Sequence, residues 1–476
     1  MRSFFRESTE GSVSSRKIIF FELNEVPYRV LDRYRDQHPN SALAKVLGRG
    51  QQFETIAADT GSLFPTKTWP TVHRGVTNDQ HGLTNFGQDL TEVDEAFPPI
   101  WQLLADHGVK VGVFGSLFTF PIPQTLSNYA FYMPDTFAST SDAHPKAFEA
   151  FQRFNLSMSR ASMRNVSSGI DVSGAAGLVP HLGSLGFTSS TVAGVGRQLL
   201  LEQRSPHLKT RRRSYQSVLG FDLFFRQLER QQPGFCTFFT NHVAAAMHRY
   251  WAAAFPRDYD HFGLTDEWVS AYRDEIDFAM AQSDRMLAKL AAFVNRHPEY
   301  QLMIVTSMGQ AALGAEPVTS CVSITDMPRF LRHFGLGLGD YEERPAMAPI
   351  FNVVVPEPKN RERLRNALAH LSIDGRSFGK ELYAGFFEFA FGALQNYQGS
   401  QVVALHNGQL TFAEMGLGNM PHEDGVYLTA DHIPQGALIV YDLQKERSDE
   451  RRQMSTLDIA PTILENFGIS RPSYMR

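Results

Sequence analysis

The chain has 476 residues, 43% hydrophobic and 20% charged, with 45 Lys and Arg against 50 Asp and Glu and a formal net charge of -5. That length exceeds one ordinary compact core, so it predicts one large core with insertions or two to three units. The composition is that of a soluble globular chain; the mild acidity excludes a nucleic-acid-binding footprint, and every apolar stretch falls short of a membrane span.

Met1 to Arg16 is polar, with Arg2, Arg6 and Arg16 and no apolar run. It reads as a short disordered leader, not a secretory signal, and predicts a cytoplasmic chain. Residues 17–23 (KIIFFEL) form a continuous apolar run, the signature of a strand buried on both faces of a parallel sheet. Next comes Phe64-Pro65-Thr66-Lys67-Thr68-Trp69-Pro70. There Thr68 before Trp69 and Pro70 reads as a helix N-cap whose hydroxyl sits in the positive end of the dipole. A helix over 100–107, a turn at Gly108 and a strand over 109–114 follow.

Residues 157–233 are rich in Ser and Gly, then helical and basic, and read as a helical insertion. The run Lys209-Thr210-Arg211-Arg212-Arg213 inside it is a solvated helix face or a contact for an anionic polymer or membrane. Strands at 234–240 and 301–306 flank a long amphipathic helix over 266–294. A small α+β insertion is predicted over 344–424, with a strand at 351–355 and a helix at 360–371. Strands at 425–429 and 436–441 and a helix over 456–467 complete the core, whose parts are 17–156, 234–343 and 425–476. The alternation predicts an α/β fold, a doubly wound, mostly parallel sheet with helices on both faces. Cys236 and Cys321 lie in apolar strand-like stretches without zinc spacing, which predicts buried free thiols.

Open α/β sheets gather function at the carboxyl ends of their strands. Those ends carry Glu22, Asn24 and Glu25; Asn241 and His242, with His248 on the following helix; Gln310; and, late in the chain, Asp431 and His432. Taken singly, each is more often a capping or core residue than a site residue.

Together and in this order they resemble a known family. FPTKTWP and GVTNDQHGL resemble the nucleophile region of the nucleotide pyrophosphatase/phosphodiesterase branch of the alkaline phosphatase superfamily. PPIWQLLADHGVKVGVFG, FYMPDTFAST and the closing LDIAPTILENFGISRPSYM are similar to other parts of that superfamily. The resemblance spans 17–140, 234–315 and 425–476. It implies Thr68 as nucleophile, with Thr66 as the alternative, and histidines, His242 among them, in proton transfer. It also implies a depleted metal site. Asn24 stands where an Asp would bind metal, Ala244 replaces the Asp that precedes His248, and Met308-Gly309-Gln310 replaces Asp-His-Gly. His248 and His432 remain, so the implied cofactor is one divalent ion, zinc by preference, or none. Its third ligand would come from His242, Asp431 or Glu22, with Asn24, Asn241 and Gln310 facing a small phosphate ester or phosphodiester. The expected function is a phosphodiesterase-like hydrolase or phosphoryl transferase. The alternatives are an inactive relative that binds a phosphorylated ligand or partner protein, and a transferase in glycan biosynthesis. Oligomeric state stays open, a homo-oligomer included.

Overall fold

A computed structural model of the chain describes residues 15–164, 182–259, 263–313, 320–346, 350–391, 397, 401–421 and 428–475. The leader up to residue 14 lies outside them, whereas Arg16 is buried and bonded to Asp442 at 2.7 Å and to the Tyr300 carbonyl at 2.9 Å.

Eight strands form the central sheet: β1 (Lys17–Leu23), β2 (Gln51–Ile56), β3 (Val111–Phe114), β4 (Tyr129–Met133), β5 (Phe235–Thr240), β6 (Tyr300–Val305), β7 (Gln435–Tyr441) and β8 (Ser448–Ser455). Their order is β8-β2-β7-β6-β1-β5-β3-β4. Every neighbouring pair is parallel except those of β7, which runs antiparallel to β2 and β6. The expected α/β architecture is therefore the observed one.

The apolar run of β1 has a simple cause. Ile19, Phe21 and Leu23 enter the core on one face, Ile18 and Phe20 the core on the other. Period two then places Glu22 on the Ile18 and Phe20 face. Cys236 and Cys321 are buried free thiols.

Five helices matter for the site and its support: α1 (Pro65–Arg74), α2 (Arg212–Gln231), α3 (His242–Ala254), α4 (Glu275–Arg296) and α5 (Ile459–Asn466). The helix expected over 266–294 is two: Asp266–Tyr272, then α4 after a break at Arg273 and Asp274. The arginines of the basic run have partners within the fold, while Lys209 is exposed. Arg211 grips Glu275 at 2.7 Å, Arg212 pairs with buried Glu202, and Arg213 donates to Thr210.

The α+β insertion has an antiparallel sheet ordered Gly379–Tyr383, Phe386–Ala390, Ile350–Val354 and Glu342–Arg344, with a separate core around Phe330, Leu364 and Phe389. Asn352 Nδ2 docks it on the Phe86 carbonyl at 3.1 Å. The strand expected over 425–429 falls largely outside the described residues; a strand follows it at Ala430–Ile433. Among the described residues no helix is long and apolar enough to cross a membrane.

Asp135 follows β4 and is fully buried, accepting from the backbone N–H groups of Phe137 at 2.7 Å and Thr119 at 3.2 Å. Burial outweighs those bonds and pushes its carboxyl up to about 6. The folded chain then holds more protons than the unfolded one between about pH 4 and about 6, so stability falls as pH rises through that window and levels off above it. A melting-temperature series should show a smaller fall across that window in Asp135→Asn than in the wild type, with Asp59, also pushed up to about 6 by burial, supplying part of the remainder. The absolute stability of that variant is a separate matter, since an NH2 would face the Thr119 N–H.

Candidate active site

The carboxyl end of β1 opens into Asn24 and Glu25, and Glu25 has φ 62, the left-handed region a non-glycine residue rarely adopts. That turn breaks strand alternation and brings the Glu25 carboxylate to two histidines. Its Oε2 lies 3.0 Å from His248 Nε2 and 3.3 Å from His432 Nε2. His248 sits on α3, the helix that follows β5. His432 comes from the strand Ala430–Ile433, which pairs antiparallel with Gly309–Ala312 so that Gln310 stands opposite His432. Gln310 Nε2 donates to the same Glu25 oxygen, and Asn24 Nδ2 donates to the other, Oε1, at 2.7 Å.

Hydrogen bonding fixes the His248 ring. Its Nδ1 donates to the Ala430 carbonyl at 2.8 Å, so in the neutral ring Nε2 is a bare lone pair aimed at a carboxylate. That arrangement requires a proton or a cation between them. His432 Nε2 is buried, close to Glu25 Oε2 but out of hydrogen-bond alignment. One carboxylate oxygen and two imidazole nitrogens, all within 4.8 Å of one another, form a donor set that fits a divalent ion and leaves coordination positions open. Burial alone would raise Glu25, but His432 and then His248 outweigh it and hold the carboxyl well below its usual range. Burial likewise works to lower His432, and Glu25 more than compensates, leaving it raised.

Three expected third ligands stand elsewhere. Glu22, on the opposite face of β1, accepts from His73 Nε2 at 2.5 Å and Ser116 Oγ at 2.7 Å. His242 has both nitrogens committed: Nε2 donates to the Ala279 carbonyl at 3.1 Å and Nδ1 accepts from the Thr240 hydroxyl at 2.5 Å. Burial pushes it down to about 4. Asp431 is half exposed, and its Oδ1 lies 3.3 Å from His432 Nδ1, behind the ring. The group that completes the cluster is Glu25, one residue past the position the resemblance implies. Its only signal in the sequence is a carboxylate beside Asn24 just after a buried strand.

Beside this cluster, the positions Met308 and Gly309 supply no metal ligand. Met308 is buried, and a Cβ on Gly309 would come within 2.2 Å of the Gln435 carbonyl oxygen. No side chain fits at Gly309.

The helix carrying the threonines starts earlier than Trp69 and Pro70 suggest. Phe64 is the N-cap of α1, Pro65 takes the first position, and Pro70 lies inside. Thr66 is therefore in the first turn and Thr68 one residue beyond it, not at the cap. Thr68 is fully buried, its hydroxyl 2.8 Å from Ser307 Oγ and 3.3 Å from the Phe64 carbonyl. Phe64 packs its ring edge-on to His432, centroids 5.6 Å apart, and is 42% exposed. Trp69 Nε1 donates to Asn24 Oδ1 at 2.7 Å. Asn24, Asn241, Gln310, His248 and His432 are thus one contiguous group with Glu25, while Glu22 and His242 are not part of it.

No family model matches the chain, nor does any curated protein. Solved structures similar to it include human ectonucleotide pyrophosphatase/phosphodiesterase 5, with 11% identity, 96% of each chain covered and a TM-score of 0.43. Another is phosphonoacetate hydrolase from Sinorhizobium meliloti 1021 in complex with phosphonoformate, with 12% identity, 96% of this chain and 100% of that one covered and a TM-score of 0.38.

Proposed function

We propose that this chain is a phosphoester hydrolase of the alkaline phosphatase superfamily that works with one divalent cation held by Glu25, His248 and His432. The observation that carries the reading is the convergence of three ligand atoms on one point, with the His248 tautomer set by Ala430 so that Nε2 faces it. A cation bound there would supply charge neutralisation and polarisation at a phosphoryl oxygen. The chain's own residues do the rest. Glu25 is kept ionised by the histidine pair and fixed at both oxygens by Asn24 and Gln310. Thr68 is the nucleophile in this reading, and its contact with Ser307 ties its hydroxyl to the carboxyl edge of β6. Ligand entry must exchange that contact for one with phosphorus, the Ser307 hydroxyl remaining to take the hydrogen bond.

A second reading draws on the same burial. A Thr68 hydroxyl covered on all sides suits an inactive relative that binds a phosphorylated ligand without turning it over. Metal counting and turnover separate the two. The purified full chain should hold close to one zinc-class ion, and it should hydrolyse bis(p-nitrophenyl) phosphate in a manner lost to a chelator and restored by added metal. Two ions per chain, or turnover indifferent to chelation, would reject the single-cation reading. Metal without turnover of any aryl phosphate ester would favour the inactive one.

A further inference from the structure

Asn241 closes β5 and is the N-cap residue of α3. An asparagine there ordinarily turns its side-chain oxygen onto the helix's first amides; this one makes no such bond. Its Oδ1 instead accepts from Asn24 Nδ2 at 2.7 Å. Chemistry, not choice, fixes which way round these amides lie. Trp69 Nε1 can only donate, and it meets Asn24 Oδ1 at 2.7 Å. An ionised Glu25 can only accept, and its Oε1 meets Asn24 Nδ2 at 2.7 Å. Pinned from both sides, Asn24 has only N–H to offer Asn241, which must answer with its carbonyl oxygen. The Asn241 NH2 is left over, on an exposed residue, with no acceptor among the described residues.

We propose that Asn241 is the anion-selecting residue of the Glu25 site, and that Trp69 and Asn24 are the positioning residues that make it so. Its NH2 offers N–H donors beside the Asn24–Glu25 contact while its oxygen is already engaged by Asn24, so it favours an oxyanion oxygen of a phosphoryl-type group over a cationic or donor-bearing one. This rests on the phosphoester reading and names the residue that recognises the ester's charge. The relay is buried at its far end: Trp69 is fully covered and stacks on His73, centroids 5.5 Å apart. The donor's orientation is thus set by the core and not by solvent.

Inorganic phosphate is the probe, titrated calorimetrically into the full chain, as purified and after zinc loading, with metal counted in each sample. Asn241→Ala should weaken phosphate about tenfold, the low end of what a hydrogen bond to a charged group contributes. Asn241→Asp should weaken it by roughly a hundredfold or more, because its carboxylate still accepts from Asn24 but now repels the anion. Trp69→Phe keeps most of the ring, removes the pinning N–H, and should weaken phosphate by an intermediate factor in a variant whose melt confirms folding. Metal content should stay at the wild-type level in both Asn241 variants. Asn241→Asp binding phosphate within about threefold of wild type, at unchanged metal content, overturns the proposal. So does a wild-type chain that holds metal and binds no phosphate. Unchanged metal content in Glu25→Gln sinks the cation reading instead, and the Asn241 comparison in metal-free chain then still stands or falls by its own fold-change.

Discussion

Glu25→Gln should strip the cation and leave the fold standing, and Glu22→Gln should do the opposite. Both carboxylates belong to the end of β1, three residues apart, both are buried, and both face imidazole nitrogens. They differ in what surrounds them. Glu25 meets two histidines, one of which is free of any aligned hydrogen bond at Nε2 and lies against the partly exposed Phe64 ring. Glu22 meets His73, itself packed between Trp69 and Trp101, and a hydroxyl chain through Ser116 to Thr237. Removing a ligand charge should cost more than the roughly 10–100-fold in metal affinity that outer partners contribute, and turnover should fall with occupancy. Glu22→Gln should retain the metal and lower stability by about 1–3 kcal/mol, the scale for disturbing a buried charged hydrogen bond. Elemental analysis beside urea denaturation reads both effects. Metal retained in Glu25→Gln and lost in Glu22→Gln would reverse the assignment of the two faces.

The same strand shows how far the sequence could be read. A nearly continuous apolar run, Ile18 to Phe21 with Leu23, identified β1 to the residue, because burial on both faces demands apolar side chains at successive positions. β5 and β6 were legible for the same reason. β8 was not: SDERRQMS is polar along most of its length, since it lies at the sheet's edge. β2, QQFETI, hides its period of two behind glutamines, one of which, Gln52, is buried and bonded to the Leu47 carbonyl at 2.9 Å. At the site, Asn24, His248 and His432 could be found by order along the chain. Glu25 could not, because its role depends on a left-handed backbone turn that no residue type announces. The start of α1 was misread because two prolines compete for the first turn. Pro65 takes it, and the nitrogen of Pro70 merely omits one intrahelical bond.

Thr68→Ala should lower kcat/KM for bis(p-nitrophenyl) phosphate by at least about 1,000-fold, about 4 kcal/mol of transition-state stabilisation. Thr66→Ala should stay within about tenfold, as expected of a first-turn residue with no covalent role. Thr68→Ser keeps the hydroxyl and should keep part of the rate. Structure alone cannot mimic this pattern. Thr68→Ala leaves Ser307 without its 2.8 Å partner, and a buried hydroxyl left unsatisfied costs about 1–3 kcal/mol of stability. That cost would appear in a melt and not selectively in kcat. Ser307→Ala supplies the decisive comparison. If Thr68 attacks phosphorus and Ser307 only positions it, the double variant should be no slower than Thr68→Ala alone, because Ser307 has nothing left to position. Additive losses would mean that the two hydroxyls act on the ligand separately. Near-wild-type turnover in Thr68→Ala, with Thr66→Ala inactive, would move the nucleophile to the first turn of α1. Turnover preserved in both would leave attack to water, and Thr68 would then be a core hydroxyl that serves only its contacts with Ser307 and the Phe64 carbonyl.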